Sequence, residues 1–414
     1  MRNIKKFFII LMLTMSSMYV NGQQNIPVSI GHTDTLHSII LNEKRSLWIY
    51  TPQIDSSVFS KPSYPVLYVL DGENNFLSLM TIINQLGVIN GNKVLPEMII
   101  VGIINTPGNR VRDLTPSKNV SFRNSGGGEN FTLFLEKELI PYINKNYPAA
   151  PYRTLIGHSL GGLMVMNTLI NHTSLFSAYV AIDPSMSYDQ GKLLTNSRTL
   201  LQEKALTRTS LFLGMANTMN PGMDTSAVRQ DTTQVTQHIS AILNLSDQLK
   251  HRSMYDLKWN FKYYPDEDHA SISLIASYDA LKFIFKHYKF PQTQPVNLYF
   301  DKRYTVTELK KLINSHYQAL SDEMGYTVRP PEEVINRFGY IFLQQKDNSR
   351  AKMFFQLNID YYPESFNTYD SMGDYYLSEE DKSAAIHYFE KALTLKNKPD
   401  IRLKLEKLKH TKAE

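Results

Sequence analysis

The six residues Gly157-His158-Ser159-Leu160-Gly161-Gly162 set a serine between glycines two positions before and two positions after it. A short run, Thr154 to Ile156, precedes them, and a helix-like run, Leu163 to Ile170, follows. A strand that turns sharply into a helix would hold Ser159 on a strained bend with its hydroxyl exposed. Glycine removes the Cβ where strand and helix must approach closely. The chemistry this suits is nucleophilic attack on a carbonyl carbon. It needs three further parts: an imidazole to take the serine proton, a carboxylate behind the imidazole, and N–H donors for the oxyanion.

Eleven histidines are available, so position must choose among them. His269 follows the last apolar strand, in Tyr264-Pro265-Asp266-Glu267-Asp268-His269-Ala270-Ser271. A loop at that strand's carboxyl end delivers its side chain to the same edge as Ser159. His238 and His251 lie on or beside a helical stretch and His287 in a terminal helix, which reads as surface or structural placement. His158, beside the serine, reads as a packing or hydrogen-bonding residue. For a bend of this type the acid falls between serine and histidine in the chain. The loop after Ser210 to Met215 offers Asp224 as its first carboxylate, and Asp183, at the end of the preceding strand, is its rival. The oxyanion donors are expected from the Leu160 amide and from Gly72 or Glu73 after the Val66 to Leu70 strand. Arg110 and Arg112, beside Asp113, would bind an anionic or hydroxyl-rich substrate or form salt bridges with one another. No His/Cys/Asp cluster has metal-ligand spacing along the chain, and Gly126-Gly127-Gly128 lacks the lysine and hydroxyl of a phosphate loop. Neither metal nor cofactor is expected.

The elements that must position these residues are legible as periodicity. Thr33 to Leu41 and Arg45 to Tyr50 read as an antiparallel pair of strands around Asn42-Glu43. Pro65 to Leu70 and Met98 to Ile104 are near-continuous apolar runs, the mark of strands covered on both faces. Helical stretches at Phe76 to Leu86, Asn130 to Asn146 and Thr233 to Lys250 alternate with further strands at Ala178 to Ile182, Ser210 to Met215 and Lys258 to Tyr264. Strand and helix in alternation predict a doubly wound, mostly parallel sheet with helices on both faces. Ligands of such sheets bind at the carboxyl ends of the strands, where Gly72, Ile104 and Ser159 fall.

A chain of 414 residues, 42% hydrophobic and 20% charged, is long enough for more than one domain with a large core. Arg2, Lys5 and Lys6 lead into the apolar run Phe7 to Leu13, which is too short to span a bilayer and fits a cleaved export signal over residues 1–22. The chain has no cysteine, which excludes disulfides and thiol chemistry. An exported, disulfide-free protein points to a bacterial periplasm or secretion. The formal charge of +5 falls to +2 without those three basic residues (5 − 3 = 2). The basic stretch Arg402 to Lys412 reads as a solvated helix face, so no nucleic-acid partner is expected.

Pro291-Gln292-Thr293-Gln294-Pro295 opens a linker over 291–305, between an α/β domain over 23–290 and a helical one over 306–414. In the latter, Gly339 recurs as Gly373, Leu343 as Leu377, Ala351 as Ala385 and Phe355 as Phe389, a period of 34 residues. That pattern is similar to tetratricopeptide repeats. Two units are fewer than such stacks need. Val306 to Leu320, the basic last helix, or docking on the first domain would make up the difference. The repeats read as a docking module for a protein partner.

Pro65 to Gly72, Val101-Gly102-Ile103, Arg110 to Pro116, Gly157 to Gly162, Ile182-Asp183-Pro184-Ser185 and the His269 loop together resemble the putative esterase family of α/β hydrolases. That family includes esterase D-like, feruloyl and acetyl-xylan esterases, siderophore trilactone hydrolases and mycolyltransferases. The resemblance runs from about Thr33 to Tyr288. It implies an α/β-hydrolase fold, Ser159 as nucleophile and His269 as base. Members often carry serine where Asp183 stands, and many carry a glutamate near Asn217. The expected activity is cleavage of carboxylic esters, on an esterified glycan or a siderophore, through an acyl-enzyme on Ser159. A scaffold that has lost turnover, or an acyltransferase, are the alternatives.

Overall fold

The computed structural model describes residues 30–53, 59–203, 205–251, 257–290 and 295–410. Eight strands build one mixed sheet: β1 (His32–Ser38), β2 (Glu43–Tyr50), β3 (Tyr64–Val69), β4 (Ile99–Ile103), β5 (Ala149–His158), β6 (Ala178–Ile182), β7 (Thr209–Ala216) and β8 (Leu257–Tyr264). Their spatial order is β1-β2-β4-β3-β5-β6-β7-β8. β2 runs antiparallel to β4, and every pairing from β4 to β8 is parallel. The expected doubly wound sheet is therefore present. β4, β6 and β7 are buried along their whole length, as strands covered on both faces must be.

Two apolar layers cover the sheet. One gathers Val66, Tyr68, Leu155, Tyr179 and Leu213 with the helix α2 (Leu160–Asn171). The other gathers Leu67, Val69, Ile156 and Phe212 with α1 (Gly72–Gly87) and α4 (Ile272–Ile284). Between these in the chain lies α3 (Gln237–His251), preceded by a 3₁₀ turn at Gln234–Thr236. The helix expected at Asn130 to Asn146 is present but widens to π geometry over Leu135–Leu139, with the Ile140 N–H bonded to the Leu135 carbonyl. Pro141 follows and has no N–H to give to the ladder, a local reason for the widened turn.

Seven further helices follow among the described residues: α5 (Pro295–Phe300), α6 (Val306–Met324), α7 (Glu332–Gln344), α8 (Asn348–Tyr361), α9 (Phe366–Ser378), α10 (Lys382–Leu395) and α11 (Pro399–His410). α5 stands inside the expected linker, and its Leu298 and Tyr299 are buried in the helical core. Residues 295–300 of that stretch are thus helical. The 34-residue period has a direct physical cause. A Cβ on Gly339 would lie 2.4 Å from the Phe355 ring, and one on Gly373 would lie 2.5 Å from the Phe389 ring. Each glycine lets an aromatic ring from the second helix of its pair press against the first. Ala351 and Ala385 are fully buried, whereas Leu377 is 39% exposed and so does not repeat the role of Leu343.

Thr33–Glu414 forms one compact unit. Within it, the end of α6 and the segment after it pack on the sheet layer: Met324, Tyr326 and Val328 join the second apolar cluster, and Glu323 accepts from Lys258 Nζ at 2.5 Å. The repeats are thus flanked by α6 and α11 and seated on the α/β part, which supplies the burial that two units lack. Among the described residues no helix is long and apolar enough to cross a membrane. The expected export signal, residues 1–22, lies outside the described residues.

Candidate active site

Strand register brings the site together. His158 pairs with Ile182, Ile182 with Gly214, and Gly214 with Lys262, so β5 to β8 form a straight row across the sheet. One residue beyond that row stand Ser159 and Asp183. Ser159 has φ 59° and ψ −117°, between β5 and α2. A non-glycine residue there carries strain of about 1–3 kcal/mol, sustained by its surroundings. Its N–H donates to the Ile182 carbonyl at 3.0 Å, and its own carbonyl accepts from Ser185 N–H at 3.0 Å. Gly157 is obligatory, since a Cβ there would sit 2.5 Å from the Gly161 carbonyl carbon. Gly162 is nearly as tight, 2.9 Å from Pro184 Cα, while Gly161 has ordinary room.

His269 Nε2 lies 3.0 Å from Ser159 Oγ, and His269 Nδ1 lies 2.5 Å from Asp183 Oδ2. Serine, imidazole and carboxylate are therefore in one hydrogen-bonded line. The carboxylate is Asp183 and not Asp224. Asp224 caps the helix Thr225–Gln230 by accepting from the Ser226 and Ala227 N–H groups at 2.9 and 2.8 Å. The end of β7 contributes a donor instead of the acid: Ala216 N–H reaches Asp183 Oδ1 at 2.9 Å. Asn217 N–H donates to the Glu267 carbonyl at 2.8 Å, and its side-chain amide donates to the Pro265 carbonyl. That pair of bonds ties the end of β7 to the histidine loop.

Asp183 is fully buried and sits at φ 40°. Burial pushes its carboxyl up, but hydrogen bonds from His238 and His269 and the Ala216 N–H outweigh that and hold it well below the usual carboxylate range. His238 is a participant that position along the chain does not reveal. Its Nε2 lies 2.9 Å from Asp183 Oδ2, the same oxygen that faces His269. Ligand atoms of Asp183, His238 and His269 all lie within 4.8 Å of one another, a grouping of a kind that also holds divalent cations. His158 packs against His269 with ring centroids 4.6 Å apart and the planes tilted by 43°, and burial and the neighbouring His269 push its imidazole pKa down. Ser185 Oγ lies 3.3 Å from Ser159 Oγ.

Leu160 opens α2, and Gly72 and Glu73 open α1, so all three sit in first helical turns, whose N–H groups lack intrahelical acceptors. The loop before α1 reaches the serine bend, since an added Cβ on Gly161 would lie 3.4 Å from Asp71 Oδ2. Gly72 itself is pressed against β4, where a Cβ would lie 2.7 Å from Gly102. The two arginines differ. Arg110 makes a bidentate pair with Asp71 at 2.6 and 2.7 Å and lines a cavity of about 470 Å³ with Asp71, His158, Ser271 and Leu274. Arg112 bonds Glu43 and Asp113, and Asp113 in turn pairs with the buried Arg45. Arg112 thus braces the framework, and Arg110 stands beside the site. A larger cleft of about 840 Å³, lined by Tyr64, Glu97, Tyr326 and Glu332, lies at the opposite ends of the strands.

Comparison with known proteins agrees with this architecture. Over 197 residues the chain is 28% identical to the ferri-bacillibactin esterase BesA of Bacillus subtilis, covering 42% of this chain and 65% of that one. The chain thus spans under two thirds of that relative's length. The crystal structure of an IroE-like serine hydrolase from Shewanella oneidensis superposes with a TM-score of 0.64 at 29% identity, covering 79% of this chain and 98% of that one. An uncharacterised protein from Capnocytophaga ochracea shares the fold over 92% of this chain and 99% of its own, with a TM-score of 0.57 and 17% identity. A tetratricopeptide-repeat model matches residues 366–399. The putative esterase model matches residues 38–256, more than half of the chain, and the protein belongs to that family.

Proposed function

We propose that this protein is a serine ester hydrolase working through an acyl-enzyme on Ser159. The observation that carries the reading is the continuous Ser159–His269–Asp183 hydrogen-bonded line at the carboxyl edge of the sheet. His269 Nε2 takes the hydroxyl proton as Ser159 Oγ attacks the ester carbonyl carbon. Asp183 holds the Nδ1–H tautomer and stabilises the imidazolium. The Leu160 amide and a first-turn amide of α1, Gly72 or Glu73, receive the oxyanion. Collapse of the tetrahedral intermediate breaks the C–O bond, and the leaving alkoxide takes the proton from His269. Water then repeats the sequence on the acyl-enzyme and releases the acid.

The substrate is a siderophore ester or an esterified glycan. The former has the added support of relatives named as esterases of ferri-bacillibactin and apo-salmochelin. Residues 1–22 act as an export leader, and the repeats serve as a seat for a protein partner. The direct test uses purified protein, a short-chain aryl ester and a fluorophosphonate probe. Wild type hydrolyses the ester and is labelled, and Ser159→Ala does neither. Labelling that survives that change removes the assignment. Turnover of siderophore trilactones compared with feruloylated or acetylated glycans decides the substrate.

A further inference from the structure

We infer that His238 is a positioning residue that clamps Asp183 for its work on His269. The inference rests on the serine-hydrolase reading above and adds a fourth side chain to it.

Four bonds fix Asp183. Its N–H donates to the Gly214 carbonyl at 2.8 Å, Oδ1 accepts from Ala216 N–H, and Oδ2 accepts from both His269 Nδ1 and His238 Nε2. A carboxylate rotates broadly about its last torsion, because an sp³–sp² bond has shallow wells. The Ala216 N–H restrains one oxygen. His269 cannot restrain the other, because it is the group being positioned: it is 42% exposed on a loop and must pass a proton to and fro. His238 is the only remaining donor among the described contacts of that oxygen. It supplies a fixed point that takes no part in the proton transfer.

The helix that carries His238 is anchored in the core. His238 occupies the second position of α3, followed by the fully buried Ile239, with the fully buried Thr236 in the turn before the helix and Ile242 buried in the next turn. Its ring also stands edge-on to His269, with centroids 5.1 Å apart and an interplanar angle of 89°. A solvated surface histidine would need none of this. Here the imidazole, 25% exposed, bridges a helix with one face in the core to a buried acid that lies 55 residues away in sequence.

The test compares His238→Gln, His238→Asn and His238→Phe in the full-length protein, with an aryl ester substrate and thermal melting in parallel. Gln carries an N–H donor near the Nε2 position, Asn carries one too short to reach, and Phe keeps the ring without a donor. Loss of one hydrogen bond to a charged group is expected to lower kcat about ten- to hundredfold in the Phe and Asn variants. KM stays within about twofold, and Gln restores kcat to within about threefold of wild type. Wild-type kcat in His238→Phe overturns the inference, as does a Gln variant no better than Asn, or a loss carried by KM. If Phe does not fold, the Gln and Asn pair decides alone. Ser159→Ala in the same assay separates the two claims. Retained turnover there removes the underlying reading, whereas an inactive Ser159→Ala with an unimpaired His238→Phe removes only the clamp.

Discussion

Replacing Asp183 by asparagine should do more harm than its small change in shape suggests, and the hydrogen bonds say why. The Ala216 N–H points at Oδ1 and requires an acceptor there. An asparagine at 183 therefore keeps its carbonyl oxygen at that position and turns its NH₂ toward both imidazoles. His269 Nδ1, which lies 2.5 Å from the acid, must then become an acceptor. Its proton moves to Nε2, the atom 3.0 Å from Ser159 Oγ, and the ring can no longer take the serine proton. A reversed tautomer in such a site lowers kcat by about 10³–10⁴, roughly 4–5.5 kcal/mol at about 1.36 kcal/mol per tenfold. The assay is steady-state hydrolysis of an aryl ester by Asp183→Asn, Asp183→Ala and Asp224→Asn, with melting temperature measured beside each. Asp183→Ala forces no wrong tautomer and should be no worse than Asp183→Asn. The reasoning is refuted if Asp183→Asn stays within about tenfold of wild type, or if Asp224→Asn shows the collapse instead.

The other expectations concern the framework. Asp224→Ala should leave kcat unchanged and lower stability by about 1 kcal/mol, the usual worth of an N-cap, as read by denaturant unfolding. Gly157→Ala drives a Cβ to 2.5 Å from backbone and should lower the melting temperature sharply or prevent folding. Gly339→Ala and Gly373→Ala each push a methyl into a buried ring; each should cost about 1–3 kcal/mol, and the two should add, by urea titration of the single and double variants. Asp113→Asn would leave Arg45, 1% exposed, with Glu43 as its remaining anionic partner and should cost about 1.5–3 kcal/mol. Asp183 ionises below the usual range when folded, so its stabilising share is complete above the unfolded value near pH 3.9 and is lost as pH falls through the lower folded value. The part of the melting difference between wild type and Asp183→Asn that comes from this acid should therefore shrink only as pH falls below about 3.9.

What could be read from the chain, and what could not, divides along a physical line. Apolar runs report burial on both faces, so β3, β4, β6 and β7 were legible within a residue or two. The serine bend and the repeat glycines were legible because backbone proximity demands glycine at fixed local offsets. The acid was not, because its choice depends on which strand end faces His269. That is set by the β6–β7 register and the Ala216 N–H, neither of which leaves a local mark. The sequence does hold one hint, an aspartate directly closing an otherwise apolar strand at Ile182-Asp183-Pro184, in a position where a solvated loop residue gains nothing. His238 had no hint at all. Its helix reads as amphipathic, and its partner comes from a distant strand end.

Siting the carboxylate at the end of β6 has a consequence for how freely this scaffold can be remodelled. The stretch of residues 218–235 that follows β7 carries none of the groups that touch Ser159 or His269. Only its flanks do such work, through Ala216 and Asn217 on one side and α3 with His238 on the other. Its ties to the rest are few: Val228 fills a place in the core, Met219 and Met223 pack against it, Arg229 pairs with Asp247, and Asp224 starts a six-residue helix. Grafting a loop of different length or chemistry between those flanks, with apolar residues kept at the Met219, Met223 and Val228 positions, would reshape that stretch while the reacting atoms stay where they are.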